Sequence, residues 1–261
     1  MPVLLAACVA NPTTLDIRPG QAVPPGGESA ALVRVADSMR DAGDVAGAIP
    51  FYRRAHQLDT LQATPLIHLA LALHTVRAYA EATRTWQTAL ALDPDNADAL
   101  RGYGYSLLAL NKPQLAIDQL RTSNEIEEDV RSYNGLGVAY DMIGDARGAQ
   151  VHYRMGLQLA PDNMTLLNNL GLSLALSGDF PESIDLLLRV VASAVVTARH
   201  RQNLALAYGL SGQIEQAAAV ARQDLDEEAV ANNLAYYAIL RAETDPAARF
   251  AALGPRVAGF D

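Results

Sequence analysis

The stretch GDVAGAIPFYRRAHQLD (43–59) gains its meaning from two others, RAYAEATRTWQTALALDP (77–94) and GDARGAQVHYRMGLQLAP (144–161). Each places a small residue (Ala48, Ala82, Ala149) four positions before an aromatic one (Tyr52, Trp86, Tyr153). A second small residue follows three positions later (Ala55, Ala89, Gly156). Spacings of four and seven put all three on one face of a helix. Ala48 and Ala82 are 34 positions apart. Upstream of each block lies another helical stretch with its own small residue, at Ala36, Ala70 and Gly137, and Pro94 and Pro161 close two of the blocks. A period of this length built from two helices predicts hairpins that cannot bury their apolar faces alone and must stack on their neighbours.

The pattern resembles the tetratricopeptide repeat. On that resemblance the repeats fall at about 29–62, 63–96, 97–129, 130–163, 164–197 and 198–227, and a half-repeat, EEAVANNLAYYAILRAE (227–243), follows. The third repeat is one residue short, with Glu128 where proline is usual. The fifth ends in VVASAVVTA without a proline, and the sixth has Arg201 at a usually apolar place. The resemblance implies an all-α, right-handed superhelix of about six repeats with a C-terminal capping helix. Small residues (Ala36, Ala70, Gly104, Gly137, Gly171, Ala205) are expected to let helix axes approach, and large ones (Leu69, Trp86, Leu136, Tyr153, Leu170, Leu204) to fill the spaces between. Gly43, Gly144, Gly178 and Gly212 are expected to end helices with positive φ.

Composition narrows function by exclusion. Half of the residues are apolar, and 29 acidic against 20 basic side chains give a net charge of −9. That balance argues against a nucleic-acid partner. No apolar run approaches the roughly 20 residues of a membrane-spanning helix. One cysteine rules out an internal disulfide framework and a thiolate-rich zinc site. The five histidines form no HxxxH or HExxH pair, so no metal or other cofactor is expected. GYGYS and NGLGVAY lie inside repeat helices, where their glycines serve packing rather than phosphate binding. Ser173 in GLSLALSG sits mid-helix and is no nucleophile elbow. The expectation is a chain without catalytic activity.

A solenoid of this family offers a concave groove, lined by the first helix of each repeat, that holds a protein or peptide partner. Asparagine recurs at one register of these helices, at Asn169, Asn203 and Asn233, and one position earlier at Asn134 and Asn168. An amide both donates and accepts, so a ladder of them can hold an extended backbone without reading its side chains. Arg101, Tyr105 and Leu172 are candidate further contacts. Replacing Asn169 and Asn203 by alanine is expected to weaken partner binding and leave melting nearly unchanged. The alternative for the asparagines is local backbone or water satisfaction. His68, His74, Asp37 and Arg40 occupy the comparable face of the N-terminal half and are read as solvated surface rather than a second subsite.

The N-terminus and the C-terminal third point to a place of work. LAAC (5–8) resembles a bacterial lipobox, which implies a remnant signal peptide at 1–8 and lipidation of Cys8. Val9 after the cysteine favours the outer membrane. Only MPVLLAA precedes Cys8, so this reading calls for a basic and apolar extension upstream in the gene. VANPTTLDIRPGQAVPPGGES begins a Pro/Gly-rich tether at 9–28, which as a flexible coil spans roughly 25 Å. The solenoid is placed at 29–243 and a C-terminal tail at 244–261, where Pro246, Gly254, Pro255 and Gly259 suggest mobility and Phe250 and Leu253 are able to dock. RHRQNLALAYGLSGQIEQAAAVARQDLDEEAVANNLAYYAILRA (199–242) is similar to the end of TadD-type lipoproteins of the Tad (Flp) pilus assembly system. That resemblance implies a pilotin-like assembly factor, lipid-anchored on the periplasmic face of the outer membrane, whose groove holds a secretin or another Tad component. Two alternatives stand beside it: a cytoplasmic adaptor or chaperone without lipid, and an outer-membrane lipoprotein of another envelope machine.

Overall fold

The computed structural model describes residues 27–253. Cys8, its lipobox, most of the segment read as a tether and the last part of the tail (254–261) lie outside the described residues. Among the described residues there are fourteen α-helices and no strand. Six antiparallel hairpins follow one another: α1 (Gly27–Asp41) with α2 (Val45–Leu58), α3 (Thr64–Thr75) with α4 (Tyr79–Leu92), and α5 (Ala97–Ala109) with α6 (Pro113–Ile126). Then come α7 (Val130–Met142) with α8 (Ala146–Leu159), α9 (Met164–Ser177) with α10 (Phe180–Val191), and α11 (Ala198–Ser211) with α12 (Ile214–Ala221). The helix α13 (Glu227–Ala242) packs on α11 and α12 as the first half of a seventh repeat. The last helix, α14 (Pro246–Leu253), folds back instead onto α7 and α9.

Local chemistry sets these ends. Asp44, Asn96, Asp145, Asn163 and Asp226 each accept a hydrogen bond from a backbone N–H of the following helix's first turn. Thr197 and His200 close a capping box at the start of α11. Each hairpin turn holds one residue at positive φ. Four are the expected glycines, Gly43, Gly144, Gly178 and Gly212. The other two are Arg77 (φ 62°) and Asn111 (φ 56°), side-chain residues in the left-handed region, which glycine occupies without steric cost.

The core divides into three successive clusters, one in the first two repeats, one centred on α5 to α10, and one from α9 to α13. Ala36, Ala70 and Ala205 are fully buried, as are Trp86 and Tyr52. Gly137 shows why a small residue is needed. A methyl group there would stand 2.3 Å from the Tyr153 ring, so the ring packs directly on the α7 backbone. Between the second helices of neighbouring repeats, Arg53 pairs with Glu81 at 2.6 Å and Arg154 with Glu182 at 2.9 Å. These exposed pairs each contribute about 0–1 kcal/mol.

Candidate functional site: an inner-face groove with an amide row

The first helices α3, α5, α7, α9, α11 and α13 carry a polar row whose order follows from the repeat. Take the small residue near the middle of each of these helices as a reference. The position two before it holds Asn169, Asn203 and Asn233, and the position three before it holds Asn134, Asn168 and Gln202. In three successive pairs of repeats the first position donates to the second position of the preceding repeat. Asn169 Nδ2 donates to Asn134 Oδ1 at 2.9 Å, Asn203 Nδ2 to Asn168 Oδ1 at 2.8 Å, and Asn233 Nδ2 to Gln202 Oε1 at 3.3 Å. Asn168 Nδ2 links two of these rungs through Asn169 Oδ1 at 3.1 Å. At the N-terminal end, Asn134 Nδ2 donates to Tyr105 Oη at 3.3 Å, and Tyr105 Oη donates to the Arg131 carbonyl at 2.7 Å.

The structure therefore brings Tyr105, Asn134, Asn169, Asn168 and Asn203 into one continuous chain of hydrogen bonds. It also places them deeper than a free ladder would lie. The four asparagines are 4–7% exposed, and their amides satisfy one another. Because each supports a buried neighbour, replacing Asn169 or Asn203 is expected to lower stability rather than to leave melting nearly unchanged. Leu172 does not face the groove. It is 4% exposed and packs in the core cluster with α11. Gln202 has a weaker signal in the sequence, the doublet of amides that recurs as NN (168–169), QN (202–203) and NN (232–233).

Towards the N-terminal half the inner face opens into a cavity of about 620 Å³. Its walls come from α3 (Ile67, His68, Leu71, His74), α5 (Asp98, Arg101, Gly102, Tyr105), α7 (Val130, Arg131, Asn134) and the start of α9 (Asn163, Thr165), with Trp86 beneath. Arg101 is only 5% exposed. It pairs with Asp98 and lies 3.5 Å from Asp129, which in turn holds Arg131 at 2.8 Å. Burial pulls the Arg101 guanidinium down and Asp129 opposes it. Burial alone would raise Asp129, but hydrogen bonds from Arg131 and the two guanidinium charges keep it below the usual carboxylate range. Charge along this wall is thus locally balanced.

The N-terminal cluster is built rather than freely solvated, contrary to the sequence reading of that face. His68 Nδ1 and Tyr52 Oη each lie 2.7 Å from Asp37 Oδ1, and Arg40 lies 2.9 Å from it. Burial would raise Asp37, yet the bonds from Tyr52 and His68 hold it low. His74 Nδ1 lies 3.0 Å from Ser106 Oγ, which also accepts from Trp86 Nε1 at 3.2 Å. Two repeats on, the same register is occupied by Asp141 and Ser173. Ser173 Oγ donates to Asp141 Oδ1 at 2.7 Å, and Tyr153 Oη donates to Oδ2 at 3.0 Å. Burial lifts the Asp141 carboxyl to about 7 against the pull of those two hydrogen bonds. Among the described residues no cluster of three or more His, Cys, Asp or Glu side chains is arranged to hold a metal, and no helix is long and apolar enough to cross a membrane.

Comparison with known proteins agrees with this architecture. The tetratricopeptide repeat family model matches residues 69–123. No curated protein sequence matches the chain. Among solved structures, PilW, described as a widely conserved type IV pilus biogenesis factor, is similar with a TM-score of 0.71 at 15% identity, over 80% of this chain and 97% of that one. Pseudomonas aeruginosa PilF is similar with a TM-score of 0.65 at 18% identity, over 75% of this chain and 90% of that one. MamA from Desulfovibrio magneticus RS-1 is similar with a TM-score of 0.60 at 20% identity, over 64% and 96% of the two chains. These likenesses establish the fold, a tetratricopeptide-type α-solenoid.

Proposed function

We propose that this chain is a non-catalytic scaffold of pilus assembly, anchored by lipid at Cys8 to the periplasmic face of the outer membrane, whose inner face holds a segment of a secretin or another Tad component. The observation that carries the binding part is the groove itself: a row of amides at repeat spacing leads into a cavity of about 620 Å³ walled by four successive first helices. An extended segment laid along it meets Thr165, Asn134 and Tyr105 edges and the apolar side chains of Leu71 and Val130. The anchor rests on LAAC (5–8), and the pilus assignment on the likeness of 199–242 to TadD-type proteins. Two solved pilus proteins, PilF and PilW, share the fold, which is compatible with this use of it.

The test has two arms. The gene is expressed with its native upstream codons, and labelled palmitate is followed in wild type and Cys8→Ser. Label that vanishes with the serine supports the anchor; no label in wild type leaves an adaptor without lipid and removes the pilotin reading. In the second arm, secretin is recovered from outer membranes with wild type and with Leu71→Asp. Leu71 is 42% exposed and lines the cavity, so a charge there blocks the groove at little cost in stability. Equal recovery of secretin by both would place the partner on another face.

A further inference from the structure

Along the inner face from α3 to α13, the position two before each reference residue reads His68, Gly102, Gly135, Asn169, Asn203, Asn233. The side chain is missing at the middle rungs, and the cavity opens with Gly102 in its wall. A methyl group at Gly102 would stand 2.4 Å from the Trp86 indole, so the indole lies immediately under bare backbone. Leu71 and Val130 supply apolar walls, and Arg101, held by Asp98 and Asp129, a polar wall of balanced charge.

His74 adds a directed polar atom. Ser106 Oγ lies 2.9 Å from the Gly102 carbonyl, 3.2 Å from Trp86 Nε1 and 3.0 Å from His74 Nδ1. A hydroxyl has one proton and two lone pairs. A carbonyl only accepts and an indole N–H only donates, so the Ser106 proton goes to Gly102 and its oxygen accepts from Trp86. The third contact is satisfied when His74 carries its proton on Nδ1. Burial pulls His74 below its ordinary value and keeps the ring neutral at pH 7. Nε2 of a ring in the cavity wall is then an unprotonated acceptor.

We propose that this cavity is a side-chain pocket for an aromatic residue bearing a hydrogen-bond donor, a tyrosine or tryptophan of the bound segment, with its O–H or N–H on His74 Nε2. Its ring packs on Leu71 and Val130. An aliphatic anchor would cover His74 Nε2 and leave it unpaired. The proposal rests on the groove being the partner's face.

Trp86 is the one tryptophan of the chain, so its indole N–H gives a single resonance next to the cavity. The full chain, labelled with ¹⁵N, is titrated with p-cresol, with 3-methylindole and with 4-methylanisole, the O-methyl ether of p-cresol. A saturable shift of the Trp86 resonance is expected with p-cresol or 3-methylindole, and at least fivefold weaker binding of the ether. The tighter of the first two identifies the phenol or the indole as the fitting ring. His74→Phe, which keeps ring volume, is expected to erase the discrimination against the ether. Equal binding of p-cresol and its ether to wild type, a comparison that needs no variant, would overturn the role of His74, and no saturable shift with any probe would overturn the pocket. Secretin recovery unaffected by Leu71→Asp, with the p-cresol shift intact, would instead overturn the groove as the partner's face and with it the assignment of the ring to a partner.

Discussion

Asp141 is buried between two hydroxyls, and its carboxyl titrates near 7 in the folded chain rather than near 4. The folded state therefore binds a proton that the unfolded state has already released over that interval. Stability contributed by protonated Asp141 is fully present below about pH 4 and is lost as pH rises through about 7. Asp141→Asn removes this dependence. The variant is expected to melt higher than wild type at pH 8, by a free energy on the order of 3 kcal/mol, and to lose most of that advantage at pH 5. Thermal melts by circular dichroism at both pH values check it; an equal shift at both would mean that the carboxyl is ionised throughout. The sequence announces such positions unevenly. The glycines of four turns declare a left-handed residue because glycine adopts it freely, whereas Asn111 gives only a weak sign of one and Arg77 none. Asp141 itself reads as an ordinary helix-surface aspartate until Tyr153 and Ser173 are seen to converge on it.

At the scale of elements, the amide row ties each first helix to the next. Asn169→Ala removes the donor to Asn134 Oδ1 and the acceptor of Asn168 Nδ2 together. The cost is expected to be about 1–3 kcal/mol, read as a lower urea midpoint with an unchanged slope. A midpoint unmoved would mean that water replaces both bonds. The register of this row was legible, since asparagine recurs at repeat spacing. Its depth was not, because burial depends on how far one hairpin is rotated against the next. The end of the solenoid obeys the same packing. Val230, Tyr237 and Leu240 of α13 cover α11, with Tyr237 directly against Gly209. Deleting 227–261 uncovers that face and is expected to lower the melting temperature by several degrees; no change would mean that α13 is no cap. The segment read as a tail contains α14, whose Arg249 donates to the carbonyls of Leu176 and Glu243 at 2.9 and 2.7 Å. Pro246 opens this helix at a position where its missing N–H costs nothing, which is why proline was a poor sign of irregular chain there.

For the whole molecule, the three clusters are joined end to end, and each hairpin meets chiefly its neighbours. Protection in such an array follows position. Hydrogen exchange is expected to be slowest in α5 to α9, which have neighbours on both sides, and fastest in α1 and α14. Uniform protection would indicate one cooperative unit. The repeat period made the order of helices readable almost to the residue, with hairpins starting at 64, 97, 130, 164 and 198 beside predicted starts of 63, 97, 130, 164 and 198. The path of α14 was not readable, because nothing in an eight-residue segment says which distant surface it returns to.

That return has a mechanical consequence. A stack of hairpins is a spring, and a clasp reaching from α13 across α9 to α7 shortens the part of the spring that is able to stretch. Compliance is then concentrated in the first three hairpins. The cavity beside Gly102 lies at the border between the stiff length and the pliant one, so a load applied along the axis is expected to change the width of this mouth before it reaches the rungs at Asn168 and Asn203.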